Sequence, residues 1–142
     1  MKPVRQPPSK RPPELQNRVQ TIRAGTDNNS LSFSTRKLNL VADVVVTAES
    51  VAAYKPDHHH FHTAFDRFAE RGIARDQILH VAQSLRADVI PANDLGMHCA
   101  WIKRPGRSLG SRAEDAKGAV PDISFDTLEE LAALHRAQLS LL

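Results

Sequence analysis

The chain predicts an α/β protein built on a doubly wound, mostly parallel sheet, and three observations carry that prediction. Short apolar runs suited to strands alternate with stretches of helical periodicity. The run ADVVVTA (42–48) is continuous and β-branched, the pattern of a strand buried on both faces of a parallel sheet. Strand and helix signals then follow one another along the chain in regular order, which is the mark of doubly wound α/β domains.

The elements follow in sequence. Residues 1–13 (MKPVRQPPSKRPP) hold five prolines and four basic residues with almost nothing to bury, so a basic, disordered tail is expected over 1–20. LQNRVQTIRA reads equally as strand or helix. DNNSLSFSTRKLNL offers polar caps at 27–30 and a helix ending near Asn39. After the strand at 42–48 comes a loop, AESVAAYKPD, and then a helix capped by Asp57. Its apolar positions Phe61, Ala64, Phe65 and Phe68 recur at three and four, and Gly72 closes it. DQILHVA reads as a second buried strand, SLRADVIPANDLG as a helix ending at Gly96, and HCAWIKR as a third strand. A long loop over 106–122 leads to a short strand and a terminal helix capped at Asp126. Leu128, Leu131, Leu139 and Leu142 form its stripe, with Leu134 at the edge.

Composition narrows the class. The 142 residues are 41% hydrophobic and 25% charged, ordinary for one globular domain, and the 5% aromatic content leaves the core to aliphatic residues. The net charge of +3 is concentrated before residue 24, so it describes a tail and gives no nucleic-acid-binding face. One cysteine, Cys99, allows no internal disulfide. No apolar run reaches membrane-spanning length, and the N-terminus lacks the apolar core of a signal peptide. A cytoplasmic location and no membrane partner are expected.

In doubly wound sheets, ligands sit beyond the carboxyl ends of the strands. That rule selects Lys55, between Tyr54 and Pro56 before a helix start, as a cation for an anionic substrate or as a plain surface lysine. It also selects Gln83, Ser84 and Asp88 after the second strand. Asp88 serves either a site or the first turn of a helix. The stretch HHHFH (58–62) holds four of the seven histidines, but only His58 and His62 share a face at i and i+4. Without a cysteine or further acids nearby the segment reads as a solvated helix start, with no metal site. His80 and His98 read as buried polar groups or rim residues, Cys99 as a core thiol, Trp101 as packing on the sheet, and Arg104 as a weak anion-site candidate.

VVVTAESVAAYKPD followed by ILHVAQSLRADVIPANDLGMHCAWIKR resembles the C-terminal half of the haloacid dehalogenase (HAD-like) superfamily, most closely the type II 2-haloacid dehalogenases. The likeness spans 21–142, a partial core domain, and implies a Rossmannoid core truncated at the N-terminus and without a cap domain. In that family an aspartate in a DxDxT-type motif forms a covalent ester that water hydrolyses. The resemblance makes Lys55 the lysine that steadies the nucleophile and Asp88 the later acid. It implies substrate contacts at Thr26, Tyr54, Gln83 and Ser84. Gln83 stands where magnesium-dependent members carry an acid, which fits the metal-free branch and implies no cofactor. Arg23 and Ala24 replace the Ser-Asn of the family's anion-binding segment, and no DxDxT-type stretch occurs in these 142 residues.

The implied function is therefore (S)-2-haloacid dehalogenation, hydrolytic loss of halide from a small anionic organic acid, with the nucleophile missing. The alternative is a non-catalytic anion-binding remnant that self-associates through an exposed sheet edge into a homo-oligomer.

Overall fold

The computed structural model describes residues 22–24, 43–103 and 118–140. The basic tail 1–20, Thr26, the helix expected up to Asn39, Arg104 and most of the loop 106–122 lie outside the described residues. The chain divides into two compact units, Met1–Gln77 and Ile78–Leu142.

In the first unit, β1 (Ile22–Ala24) and β2 (Val44–Val46) pair in parallel, with Ile22 opposite Val44 and Ala24 opposite Val46. The last three residues of the ambiguous segment LQNRVQTIRA are thus a strand. β2 is shorter than its apolar run because Thr47 turns the chain into α1 (Ala48–Val51), where a loop was expected. The Thr47 hydroxyl accepts from the Ser50 N–H at 3.1 Å, and the Ser50 hydroxyl accepts from the Thr47 N–H at 3.0 Å. This reciprocal pair satisfies two donors that a helix start leaves open. α1 ends at Ala52 in the left-handed region, φ 53°.

α2 (His59–Glu70) packs on β1, β2 and α1. Phe61, Phe65 and Phe68 are buried, as the periodicity predicts. Val46 is buried on the side α2 covers, whereas Val45 points the opposite way and is 49% exposed. The strand is not buried on both faces as its sequence suggested. The helix closes through Gly72, φ 73°. The Gly72 N–H donates to the Ala69 carbonyl at 2.9 Å and the Ile73 N–H to the Phe68 carbonyl at 3.0 Å, with Ile73 and Phe68 both buried. The Arg71 guanidinium donates to the Asp43 carbonyl at 3.1 Å, tying the helix end to the start of β2.

In the second unit, β3 (Leu79–Ala82), β4 (His98–Ile102) and β5 (Ile123–Phe125) form a parallel sheet in that order. His80 stands opposite Cys99, and Val81, Ala100 and Ile123 lie in line. The helix expected over 84–96 is two pieces, a π-helical turn (Leu85–Val89) and α3 (Ile90–Asp94). The Ile90 N–H bonds the Leu85 carbonyl, five residues back, and Pro91 sits in the first turn of α3, where its missing N–H costs no intrahelical bond. Val89, Ala92 and Cys99 form the unit's core, with Leu85, Met97 and Trp101 packed around them.

β3 departs from expectation in its burial: Leu79 is 47% and Val81 39% exposed. Both point away from the Cys99 side that the π turn and α3 cover, and within its sheet β3 pairs with β4 alone. α4 (Leu128–Leu139) starts at Thr127, one residue after the predicted cap. The Thr127 hydroxyl accepts from the Glu130 N–H, and the Glu130 carboxylate accepts from Thr127 and Asp126. α4 contacts β5, and Leu128 and Leu134 on its predicted stripe remain exposed. Among the described residues no helix is long and apolar enough to cross a membrane.

Candidate functional site

The first unit contributes one turn. The Asp57 N–H donates to the Tyr54 carbonyl at 3.0 Å, folding Tyr54–Asp57 into a tight reversal that contains the cis Lys55–Pro56 bond. Tyr54 is exposed and Lys55 half-buried on this turn. The N-cap of α2 is His58, without a side-chain cap bond, rather than the expected Asp57; one residue earlier, the Asp57 carboxylate accepts from the His59 N–H at 2.9 Å and bonds the His59 ring nitrogen. These two bonds, first the backbone one and then the ring one, hold the Asp57 carboxyl below its ordinary 3.8.

The histidines differ from the solvated set expected. His59 and His62 are exposed, His58 is half-buried, and His60 is only 1% exposed. His60 precedes Ala64 and Phe68 by four and eight residues, so it lies on the buried stripe. The rings of His58 and His62 pack edge-on, 6.3 Å between centroids.

The second unit contributes the turn after β3, and three tethers shape it. The Ser84 hydroxyl accepts from the Ala87 N–H at 3.1 Å, capping the π-helical turn. The Trp101 indole N–H donates to the Gln83 carbonyl at 3.0 Å. Nε2 of His80 stands 3.2 Å from Oδ1 of Asp88, which is 5% exposed. Gln83 is left exposed and Ser84 half-buried at the strand's carboxyl end. The Lys103 ammonium lies 5.8 Å from the centroid of the Trp101 ring.

Two further ties escaped sequence reasoning. The Asn93 side chain exchanges both amide bonds with the Val120 backbone, each at 2.8 Å. The Asp122 carboxylate accepts from the Cys99 N–H at 2.7 Å. The available signal was the placement of Asn93 at a helix end and of Asp122 before a strand, and it does not name the partner. Cys99 is buried, and its thiol is pushed up to about 11 by burial first and then by Asp88 and Asp122. It is a neutral core thiol at ordinary pH.

The structure thus groups Gln83, Ser84 and Asp88 on one turn, with His80 and Trp101 as supports that the sequence left without a role. Lys55 and Tyr54 share the other turn, in the first unit. Thr26 lies outside the described residues. Magnesium requires several hard oxygen donors. The turn after β3 offers an amide, a capping hydroxyl and a carboxylate bonded to imidazole, and no group of three metal-ligating side chains occurs among the described residues. These donors do not fit the ion.

No family model and no curated protein matches the chain. Solved structures do. A magnesium-bound protein of Bacillus subtilis, named as a HAD-hydrolase, aligns at TM-score 0.66 and 18% identity over 85% of this chain and 50% of its own. A HAD phosphatase from Thermococcus onnurineus aligns at 0.58 and 29%, over 78% and 46%. A 2-haloacid dehalogenase from Pseudomonas syringae aligns at 0.54 and 22%, over 73% and 42%. The chain spans about half the length of the solved structures it matches. The parallel α/β architecture and these neighbours agree: the fold of the chain is that of the HAD-like hydrolases.

Proposed function

We propose that this chain carries the lysine-bearing and acid-bearing side of a HAD-like hydrolase of the (S)-2-haloacid dehalogenase type. The observation that carries the reading is the tethered turn Gln83–Asp88 at the carboxyl end of a parallel strand, on a fold shared with a 2-haloacid dehalogenase. In this reading Ser84 and Gln83, on the turn of the second unit, hydrogen-bond the carboxylate of a small 2-haloacid, and Asp88 orients the hydrolytic water. Lys55, Thr26 and Tyr54 keep the roles that the resemblance implies, Lys55 steadying the attacking carboxylate. The nucleophilic aspartate is not among these 142 residues, so the ester-forming step takes its carboxylate from elsewhere.

HAD-like neighbours include phosphatases as well as dehalogenases, so the substrate class is what the experiment has to decide. 2-Chloropropionate and inorganic phosphate are titrated against the chain by calorimetry, with Gln83→Ala alongside. Saturable binding of 2-chloropropionate, lost in the variant, supports the dehalogenase reading. Tighter binding of phosphate argues for phosphatase chemistry. The alternative reading is an anion-binding domain without catalysis. Halide analysis separates the two: binding without chloride release by the chain alone fits the second.

A further inference from the structure

The turn after β3 offers an anion neutral donors. The Gln83 side-chain amide is exposed, and the Ser84 hydroxyl, which accepts from the Ala87 N–H at 3.1 Å, keeps its own O–H to donate. Such donors bond a carboxylate and an uncharged amide alike, so selection for charge needs a cation beside them. Two cations of the second unit lie near this strand end, Arg86 on the turn and Lys103 just past β4. Their settings differ. Arg86 is exposed, and its guanidinium makes no bond or ring contact among the described residues.

Lys103 is tied at both ends. Its backbone N–H donates to the Phe125 carbonyl at 2.8 Å, which extends the β4–β5 ladder by one residue. Its ammonium lies over the Trp101 ring, 5.8 Å from the centroid, within cation–π range. The same indole donates its N–H to the Gln83 carbonyl at 3.0 Å. Trp101 and Lys103 are two apart and follow one side of β4, the Cys99 side that the π turn and α3 cover. Carrying the register on from Ala82 opposite Trp101 brings Ser84 level with Lys103, on strands about 4.8 Å apart. Among the described residues no carboxylate pairs with this ammonium. Glu130, on the helix after β5, accepts instead from the backbone of Asp126 and Thr127, and Asp126 is exposed.

From this arrangement we infer that Lys103 is the cation of the small-anion site on the turn Gln83–Asp88 and sets its preference for a charged ligand. One indole holds both the backbone of the turn and the station of the ammonium. The inference rests on reading that turn as an anion site, and adds to Gln83 and Ser84 the group that distinguishes a carboxylate from a neutral analogue.

The full chain is titrated by calorimetry with 2-chloropropionate and with 2-chloropropionamide, its uncharged analogue. Wild type is expected to bind the acid about tenfold more tightly than the amide. Lys103→Gln, which keeps most of the stem and removes the charge, is expected to bind the two alike. Lys103→Arg is expected to keep the preference, and Arg86→Gln to stay within about twofold of wild type for both compounds. Lys103 is exposed, so the melting temperature of each variant is expected to match that of wild type. An undiminished preference in Lys103→Gln overturns the inference, as does a preference lost in Arg86→Gln alone or absent from the wild type. If the wild type binds neither compound, the anion-site reading fails and the inference with it. If Gln83→Ala weakens binding while Lys103→Gln stays selective, the reading stands and the inference alone fails.

Discussion

The indole N–H of Trp101 donates to the backbone carbonyl of Gln83 at 3.0 Å, so the last residues of β4 hold the turn that leaves β3. The two strands are parallel neighbours with Ala82 opposite Trp101, which places Gln83 one residue beyond the ladder. A ring that packs beside the Val89–Ala92–Cys99 core thus also fixes the backbone of the candidate site.

Trp101→Phe keeps an aromatic ring and deletes the donor. The expected loss is about 1 kcal/mol in urea unfolding followed by circular dichroism. Amide exchange at 83–87 should accelerate more than in the core of β4. Unchanged exchange there would show that the bond does not hold the turn.

The Asp57 carboxylate accepts from the His59 N–H in the first turn of α2, and its carboxyl is held below the ordinary 3.8. A depressed folded-state value means a contribution to stability that is present above the unfolded value and is lost as pH falls through the folded one. Wild type and Asp57→Ala should therefore differ in melting temperature at pH 6, and the difference should shrink as the pH is lowered past the ordinary 3.8 and through the folded value. A constant difference across that range would place the effect elsewhere than in the ionised carboxylate.

The Cys99 thiol is pushed up to about 11 from an ordinary 9.0. It should resist a disulfide reagent at pH 8 in the folded protein and react fully in denaturant. The folded state keeps the proton longer than the unfolded one, so this group's contribution falls as pH rises above about 9. Rapid labelling without denaturant would contradict the buried placement.

Ala52 holds a left-handed φ of 53° at the end of α1. Glycine adopts that conformation without the Cβ conflict, so Ala52→Gly should stabilise the chain by about 0.5–1 kcal/mol in the same unfolding measurement. A destabilised variant would mean that the methyl's contacts outweigh the backbone term.

The strand–helix alternation and the Phe61, Phe65 and Phe68 stripe were legible because periodicity reports which face is buried. The π-helical turn was not, since one extra residue in a turn leaves no mark on the spacing of so short a segment. His60 misled because a histidine among exposed histidines looks solvated until its spacing to Ala64 and Phe68 is counted. The exposed Val45, Leu79 and Val81 show the limit of reading burial from apolar runs: the covering element on each face is a tertiary fact. Gln83, Ser84 and Asp88 were found from the rule that ligands gather at strand ends. Their supports, His80 and Trp101, were visible as residues but not as partners, because the contacts close across eight and eighteen positions.

The central claim, a proposal, is that the turn Gln83–Asp88 carries a small-anion site. Calorimetric titration of 2-chloropropionate into the chain tests it most directly, with Gln83→Ala and Ser84→Ala as controls. Saturable binding that each substitution weakens by about tenfold is the predicted result. No binding by the wild type, or equal binding by all three proteins, would contradict it.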